Sequence, residues 1–411
     1  EAWGVLQTTE SEVRSEIFAF FPPEKQLQIV ETRPPEETSQ LIIHMRADDR
    51  VDLLKQADSE AAESLLAMLP QEERRDILRL SEYPEGTAGS LMTTDIARLP
   101  ESLTVREALD EVARQAEDHE TIYYIYIVDN DNHLRGLVSA RQLVTHLVRP
   151  RTPISELMER NLVTVEATDD QEKVAAKVAA YDFLAIPVVD HEQHLVGIIT
   201  HDDVIDVLRA EAHEDALLAG GVGPLQQSYL NAPLQTLAWK RGVWLAVLML
   251  GALLTVLALR SHEDTLQSVG WLAFFLPLII SCGGNSGGQS ATLVITAMTA
   301  GSLAPKDWGR VIRRELTMGA ILGTLLGAMG FAYALVLVDA PFQEKLVIPA
   351  TLWLVVVAGA LCGGTLPLLF RRLGLDPALM STPFVAGIID VAGILIYMSI
   401  AWALLASLRT A

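Results

Sequence analysis

Asp390 sits in the run Pro383-Phe384-Val385-Ala386-Gly387-Ile388-Ile389-Asp390-Val391-Ala392-Gly393 and is the only acid well inside a long apolar stretch. A charge at mid-bilayer costs about 2.5–3.5 kcal/mol on insertion scales, so such a residue ordinarily faces a cavity or a partner. At helical spacing its same-face neighbours are Ala386, Gly387 and Gly393. A carboxylate flanked by small residues leaves room for a bulky ligand, such as a cation that keeps its water shell. The competing reading is a structural Asp bonded to another helix, with Gly and Ala serving close packing. A second polar run, Gly283-Gly284-Asn285-Ser286-Gly287-Gly288-Gln289-Ser290, follows Pro277. Its glycines predict an interrupted helix, whose freed backbone groups are tolerated at membrane depth only when buried or lining a water-filled cavity. Asn285 and Gln289 share one face, with Gly284 and Gly288 beside them, so these four are candidate pore-lining residues. A tight glycine crossing of helices is the alternative.

Acidic residues outside the apolar stretches gather in clusters. Asp48 and Asp52 share a helical face; Asp170, Glu172 and Asp182 follow; then come Asp203 and Asp206, and finally Glu211, Glu214 and Asp215, with no Lys or Arg between Arg209 and Lys240. Like charges one helical turn apart are mutually destabilising, and a solvated acidic face is the ordinary explanation of any one cluster. Here several clusters flank one connecting stretch. Mg2+ takes oxygen ligands, keeps several waters and uses one or two carboxylates. Carboxylates from different segments repel when empty and are bridged when filled, which makes a cation sensor with a built-in switch.

The elements that must position these groups follow from a sharp division in composition. Of 411 residues, 50% are hydrophobic, and the formal net charge is −21. Residues 1–238 hold 44 Asp+Glu and 20 Lys+Arg; residues 239–411 hold 8 and 11. An acidic soluble part is therefore joined to an apolar part. That excludes a purely soluble enzyme and a disulfide-stapled secreted domain, and the acidic half would repel nucleic acid. Two cysteines, Cys282 and Cys362, make neither a disulfide framework nor a metal cluster. The start, Glu1-Ala2-Trp3, lacks a basic region before an apolar run, so no signal peptide is expected.

A transmembrane helix needs about 20 apolar residues. Five such stretches are expected, near 239–259, 269–300, 316–338, 348–370 and 377–408. Lys240 and Arg241 precede the first; Lys306, Arg310, Arg313 and Arg314 lie between the second and third; Arg371 and Arg372 lie between the fourth and fifth. The other two loops are nearly free of base. Every basic loop then falls on the cytoplasmic side, which puts the acidic half in the cytoplasm and the C-terminus outside.

Residues 92–148 and 158–210 form an internal repeat. Tyr126-Ile127-Val128-Asp129 matches Pro187-Val188-Val189-Asp190, and His133-Leu134-Arg135-Gly136-Leu137-Val138-Ser139 matches His194-Leu195-Val196-Gly197-Ile198-Ile199-Thr200. Each unit reads strand, helix, strand, turn, strand, helix and resembles the CBS domain. CBS domains act in tandem pairs, bind adenosine nucleotides in some cases and regulate an attached domain. The family's ribose-contacting Ser/Thr-x-x-Asp occurs in the second unit as Thr200-His201-Asp202-Asp203, whereas the first unit has Ser139-Ala140-Arg141-Gln142 and lacks the Asp. A plain helix cap by Thr200 with Asp203 in the first turn is the competing reading. Before the repeat, Pro-Pro-Glu at 22–24 and 34–36, Ala-Asp-Asp at 47–49, Asp-Ser-Glu at 58–60 and Pro-Gln-Glu at 70–72 recur about every twelve residues, each with helix-start chemistry. A stack of short helices is predicted.

The fold class expected is a multidomain α plus α/β plus all-α membrane protein: a helical scaffold over 1–88, CBS units over 89–150 and 151–203, a connecting helix over 204–236, and a five-helix transmembrane domain over 237–411. The combination resembles the MgtE family of magnesium channels over essentially the whole chain, most specifically at Pro277, Gly284 to Thr292, Asp376-Pro377-Ala378-Leu379 and Asp390. The resemblance implies a homodimer in a bacterial plasma membrane, with lipid around it and the pore on the dimer axis. Asp390 would bind hydrated Mg2+ with backbone carbonyls near Ala386 and Gly387. The connecting helix would plug the cytoplasmic mouth when Mg2+ fills sites built from Asp48, Asp52, Asp170, Glu172, Asp182, Asp203, Asp206, Glu211, Glu214 and Asp215. ATP would bind the CBS pair at Thr200 and Asp203. Thr382 departs from the family, which can carry Asn there. The alternatives are a secondary transporter coupling Mg2+ to Na+ or H+ through Asp390, and a nucleotide-sensing membrane protein with no transport role. No nucleophile–base set suggests an enzyme.

Overall fold

The structure, a computed structural model, describes residues 9, 11–43, 45–116, 121–225 and 229–405. It divides into two compact units, Glu1–Glu211 and Ala212–Ala411.

Among the described residues, the first unit begins with six short helices: α1 (Ser11–Ala19), α2 (Pro23–Thr32), α3 (Pro35–Ile43), α4 (Ala47–Gln56), α5 (Ser59–Met68) and α6 (Gln71–Ser81). Their twelve-residue period is written in the start signals. Pro22-Pro23 opens α2 with its missing N–H where no partner is needed. Asp58 caps α5 by accepting from the Ala61 N–H at 2.8 Å. Leu41, Ile42, Val51, Leu65 and Leu80 fill the core between these helices and share it with Val174, Ile186 and Ile199 of the second CBS unit.

Two three-stranded sheets follow. In the first, β1 (Ile96–Pro100) runs parallel to β2 (Thr121–Val128), which pairs antiparallel with β3 (Leu134–Ser139). In the second, β4 (Val165–Glu166), β5 (Ala185–Val189) and β6 (Leu195–Thr200) repeat the arrangement. Helices α7 (Val105–Gln115) and α8 (Ala140–Thr145) belong to the first CBS unit, and α9 (Gln171–Tyr181) and α10 (His201–Ala219) to the second CBS unit. The repeat is interlocked. Thr93, ahead of β1, exchanges hydrogen bonds of 2.9 and 3.0 Å with Ile198 of β6, and Glu159 does the same with Leu137 of β3 at 2.9 and 3.0 Å. Met92 and Met158 lie over Gly197 and Gly136, where a Cβ would come within 2.5 and 2.7 Å of the sulfur. That close approach is why both repeats carry glycine in the third strand.

The second unit holds five long helices: α11 (Leu234–Arg260), α12 (Trp271–Thr299), α13 (Trp308–Leu337), α14 (Val347–Arg372) and α15 (Thr382–Leu404). By length and composition α11, α13, α14 and α15 can cross a membrane, and α12 matches them in length but is diluted by its polar run. Two expectations are corrected here. The interrupted helix predicted at 283–290 is an unbroken 29-residue helix, and the connecting helix ends at Ala219, followed by Gly221 at φ 70°. The glycines of α12 serve contact instead. A Cβ at Gly363 of α14 would lie 2.0 Å from the Gly287 carbonyl oxygen, and one at Gly359 would lie 2.5 Å from that of Gly283. Backbone cannot yield as a side chain does, so α12 and α14 touch along a seam that only glycine allows. Arg310, Arg313 and Arg314, expected in a loop, form the first turns of α13.

Candidate permeation and cation-sensing sites

In the second unit, α15 carries Asp390, half-buried, one turn after Ala386 and Gly387. A Cβ built at Gly284 of α12 would lie 3.2 Å from the Ala386 Cβ and 3.7 Å from Asp390 Oδ1. The carboxylate therefore lies against α12 at the residue with no side chain to displace it. Among the described residues nothing lies within 4 Å of a Cβ at Gly387, so that side of α15 is open to them. Asn285, Gly288, Gln289, Thr292 and Leu293 of α12 line an open depression of about 540 Å³ with Thr382. Asn285 Nδ2 donates to Ser281 Oγ at 3.3 Å, and the Thr292 and Thr382 hydroxyls are 3.5 Å apart.

The other face of α12 is polar but closed. Ser286 Oγ donates to the Val356 carbonyl at 3.1 Å, and Ser290 Oγ donates to Glu315 Oε2 at 2.6 Å. Glu315 is a second buried acid of the bundle, 9% exposed. Sequence reading missed it because the third span was started one residue later. The signal was present: Val311, Glu315, Gly319, Gly323, Gly327 and Gly330 form one buried stripe on α13, so Glu315 falls on the packed face. The hydrogen bond from Ser290 offsets part of the cost of burying this polar group.

The carboxyl end of α10 reaches the same bundle. Asp215 accepts from Thr299 Oγ1, at the last residue of α12, at 3.1 Å. Gly221, in its left-handed conformation, approaches Ser381 and Pro383 at the start of α15.

In the first unit, α4 and the start of α10 bring carboxylates together. Asp49 and Asp52 on α4 face Asp202, Asp203 and Asp206. Crowding by surrounding protein pushes the Asp52 carboxyl up to about 6, against the pull of Lys55, with Asp49, Glu85 and Asp203 adding to the rise. Asp49 is raised by the same desolvation, which Arg46 opposes and Asp202 and Asp206 reinforce. Asp203 is raised as well, chiefly by desolvation, although Thr200 bonds it. Asp52 and Asp49 keep one side open to water, which screens part of this repulsion. Arg46 pairs with Asp202 at 3.0 Å. Of the pair expected on α4, the structure turns Asp52 toward this cluster and adds Asp49, which sequence reading passed over in favour of Asp48.

The remaining sensor candidates fall apart. Asp170 caps α9, accepting from the Glu172 N–H at 2.9 Å, and Gln171 bonds Glu211. Asp182 closes the far end of α9 at φ 53°, roughly 18 Å from Asp170 at 1.5 Å per residue. These acids cannot share one ion within the chain. Asp206 is tied to Arg209 at 3.3 Å. Glu214 lies on α10 beside Asp215.

Thr200 donates its hydroxyl to Asp203 Oδ2 at 2.5 Å, and its N–H reaches the same oxygen at 3.3 Å. The two nucleotide candidates are thus bonded to each other at the start of α10. Beside them, the strand partner of Thr200, Ala185, joins Tyr124, Asn161, Phe183 and Pro187 around a cavity of about 140 Å³.

Comparison with known proteins agrees in extent with this layout. The profile described as divalent cation transporter, MgtE, matches residues 276–400, the MgtE intracellular N domain matches 1–86, and the CBS domain matches 88–149 and 154–210. The chain is 39% identical over 396 residues to the magnesium transporter MgtE of Thermus thermophilus, covering 95% of this chain and 87% of that one. It is 31% identical to the Bacillus subtilis magnesium transporter MgtE, covering 89% and 80%. A crystal structure of the cytosolic domain of the Mg2+ channel MgtE in complex with ATP matches with a TM-score of 0.47 and 38% identity, covering 49% of this chain and 82% of that chain.

Proposed function

This chain belongs to the MgtE family of magnesium transporters, a family of transport proteins and not of enzymes, and on that premise we propose that it is a Mg2+-selective channel closed by cytosolic Mg2+. The observation that carries the reading is Asp390, its carboxylate seated against Gly284 beside the open polar face of Asn285, Gln289 and Thr292. A hydrated divalent cation needs such a carboxylate, carbonyls near Ala386 and Gly387, and width. The open face supports a homodimer in which a second copy completes the pore. The basic residues at the starts of α11 and α13 and the end of α14 support an orientation in a bacterial plasma membrane with the acidic half on the cytoplasmic side and the C-terminus outside.

Gating follows from repulsion. At an effective dielectric of about 20, two charges 4 Å apart repel by about 4 kcal/mol before salt screening. Asp49, Asp52, Asp203 and Asp206 in the absence of metal favour separation, and bound Mg2+ reverses the sign. We propose the same for Asp170, Glu172, Asp182 and Glu211, the acids on different elements being joined across copies, and for Glu214 and Asp215 where α10 meets α12. ATP would place its base in the 140 Å³ cavity, leaving ribose and phosphates toward Thr200 and Asp203, because enclosed sites for whole ligands run to about 300–1,000 Å³.

Proteoliposomes loaded with a Mg2+ indicator test the reading. With only a Mg2+ gradient, uptake should be rapid and Asp390→Asn should reduce it at least tenfold. Uptake that appears only with an added H+ or Na+ gradient would replace the channel by a coupled transporter with Asp390 as its coupling site.

A further inference from the structure

The tandem repeat carries one constellation twice. Asp129-Asn130-Asp131-Asn132-His133 and Asp190-His191-Glu192-Gln193-His194 are the turns that lead into β3 and β6. In each, the aspartate closes the turn. Asp129 Oδ1 accepts from the Asp131 and His133 N–H groups at 3.0 and 2.9 Å, and Asp190 Oδ1 from those of Glu192 and His194 at 2.9 Å each. The other oxygen meets the histidine ring: His133 Nδ1 lies 3.1 Å from Asp129 Oδ2, and His194 Nδ1 lies 2.9 Å from Asp190 Oδ2.

The two turns pair with each other across the junction of the CBS units. The Leu134 N–H donates to the Gln193 carbonyl at 3.1 Å, and the Leu195 N–H to the Asn132 carbonyl at 3.0 Å. His133 and His194 therefore stand opposite one another as antiparallel partners, in the type of pair whose side chains approach most closely. Their rings stack with centroids 4.4 Å apart and planes at 25°. Water still reaches both side chains, which are 32% and 26% exposed.

The charges facing the rings are lopsided. From the first CBS unit come Asp129, Asp131, within 4.8 Å of His133, and Arg135, which is spent on Asp129 Oδ2 at 2.9 and 2.6 Å. From the second come Asp190 and Glu192, whose Oε2 is 3.9 Å from His194 Nδ1. Beside them His191 pairs with Glu166 at 3.2 Å, and Arg98 of β1 bonds the Asn132 side chain at 3.4 Å. With both rings neutral, these carboxylates meet across the junction with Arg135 alone to offset them. A proton on His194 places a cation among them. The hydrogen bond to Asp190 chiefly, with the charges of Asp190, Glu192 and, from the other unit, Asp129, holds His194 above the ordinary histidine range, against partial desolvation.

We propose that the stacked histidines are a proton-operated clasp between the two CBS units, closed when a proton on His194 ties the carboxylates of both units together and loosened when that proton leaves. A group whose folded value is raised lends stability that is full below its unfolded value of about 6.5 and is lost as pH rises through the folded one. The clasp therefore tightens in acid. β6 begins next to His194 and runs through Thr200 into α10, which puts the clasp one strand from the root of that helix. It concerns the CBS pair alone and does not rest on the channel reading.

Amide-resolved hydrogen–deuterium exchange of the full chain in detergent with EDTA, corrected for the intrinsic rate, reads the clasp at the Leu134 and Leu195 N–H groups. Both should open at least about threefold less often at pH 6.5 than at pH 8.5. Ile186 and Ile199, paired inside the second CBS unit, should show no such change. His194→Gln should abolish the difference. Asp190→Asn, which keeps an oxygen for both turn N–H groups, should shrink it, and Asp52→Asn should leave it as in the unsubstituted chain. No slowing in acid, the same slowing at Ile186 and Ile199, or a difference that survives His194→Gln or is undiminished by Asp190→Asn would each overturn the clasp. So would its loss in Asp52→Asn, which would assign the titration to the acidic cluster on α4.

Discussion

Asp52 is the single residue at which the proposed cation sensing is most directly tested. Its carboxyl is pushed up to about 6 by the protein and by Asp49, Glu85 and Asp203. A raised carboxylate contributes stability that is full below its unfolded value of about 4 and is lost as pH rises through its folded value. Metal-free protein should therefore lose stability between pH 4 and about 6 from this group, and Mg2+ should restore it only above that window, because below it protons hold the site. Ligand at a hundred times its Kd adds about 2.7 kcal/mol. Thermal unfolding in detergent at pH 5 and 7.5, with and without Mg2+, measures this. Asp52→Asn should raise metal-free stability at pH 7.5 and shrink the Mg2+ shift; lower stability with an unchanged shift would remove Asp52 from the sensor. Asp49 was legible too. Ala47, Val51 and Leu54 form the buried stripe of α4, which fixes Asp49 and Asp52 together on the outer face. The i, i+4 pairing of Asp48 with Asp52 ignored that phase.

At the scale of elements, the seam between α12 and α14 carries the bundle. Gly363→Ala would set a methyl 2.0 Å from the Gly287 oxygen, and overpacking costs about 1–3 kcal/mol. Gly251→Ala, with nothing among the described residues within 4 Å, removes a helix-weakening glycine at a gain of up to about 1 kcal/mol. The two substitutions should thus move the thermal midpoint of the detergent-solubilised protein in opposite directions, and a matching rise in both would mean the helices are not in backbone contact. The element types were readable from period and punctuation: proline and acid every twelve residues for α1 to α6, and glycine, two apolar residues and a hydroxyl for the third strand of each CBS unit. The state of α12 was not. Glycine weakens an isolated helix, but each N–H of a buried helix has nowhere else to bond, so the run stays helical and its glycines become contact surface. Which surface they touch is set by α14, some 70 residues away, and no local pattern states that. The interlock of Thr93 with β6 and of Glu159 with β3 is hidden for the same reason, since the repeat specifies each unit and not their exchange.

For the whole molecule, the gating proposed above requires filled carboxylates in the first unit to change flux through the second. The division between the units, after Glu211, falls inside α10, which begins at the Thr200–Asp203 cap and ends past Asp215 on the α12 terminus. A continuous helix transmits position as a rod; a broken one does not. Taking a two-state gate from 1:99 to 99:1 requires about 5.5 kcal/mol of differential binding, which several weak Mg2+ sites can supply together if the rod delivers it. Proline in a helix interior costs about 3 kcal/mol and kinks the axis; glycine costs about 1 kcal/mol and leaves the axis straight. Ala210 is exposed, so substitution there acts on backbone alone. Ala210→Pro should leave Mg2+ stabilisation of the sensor and basal Mg2+ flux in proteoliposomes in place while flux no longer falls as internal Mg2+ rises, and Ala210→Gly should blunt closure only in part. Unaltered closure in the proline variant would show that the signal bypasses α10 and would shift the search to contacts between copies.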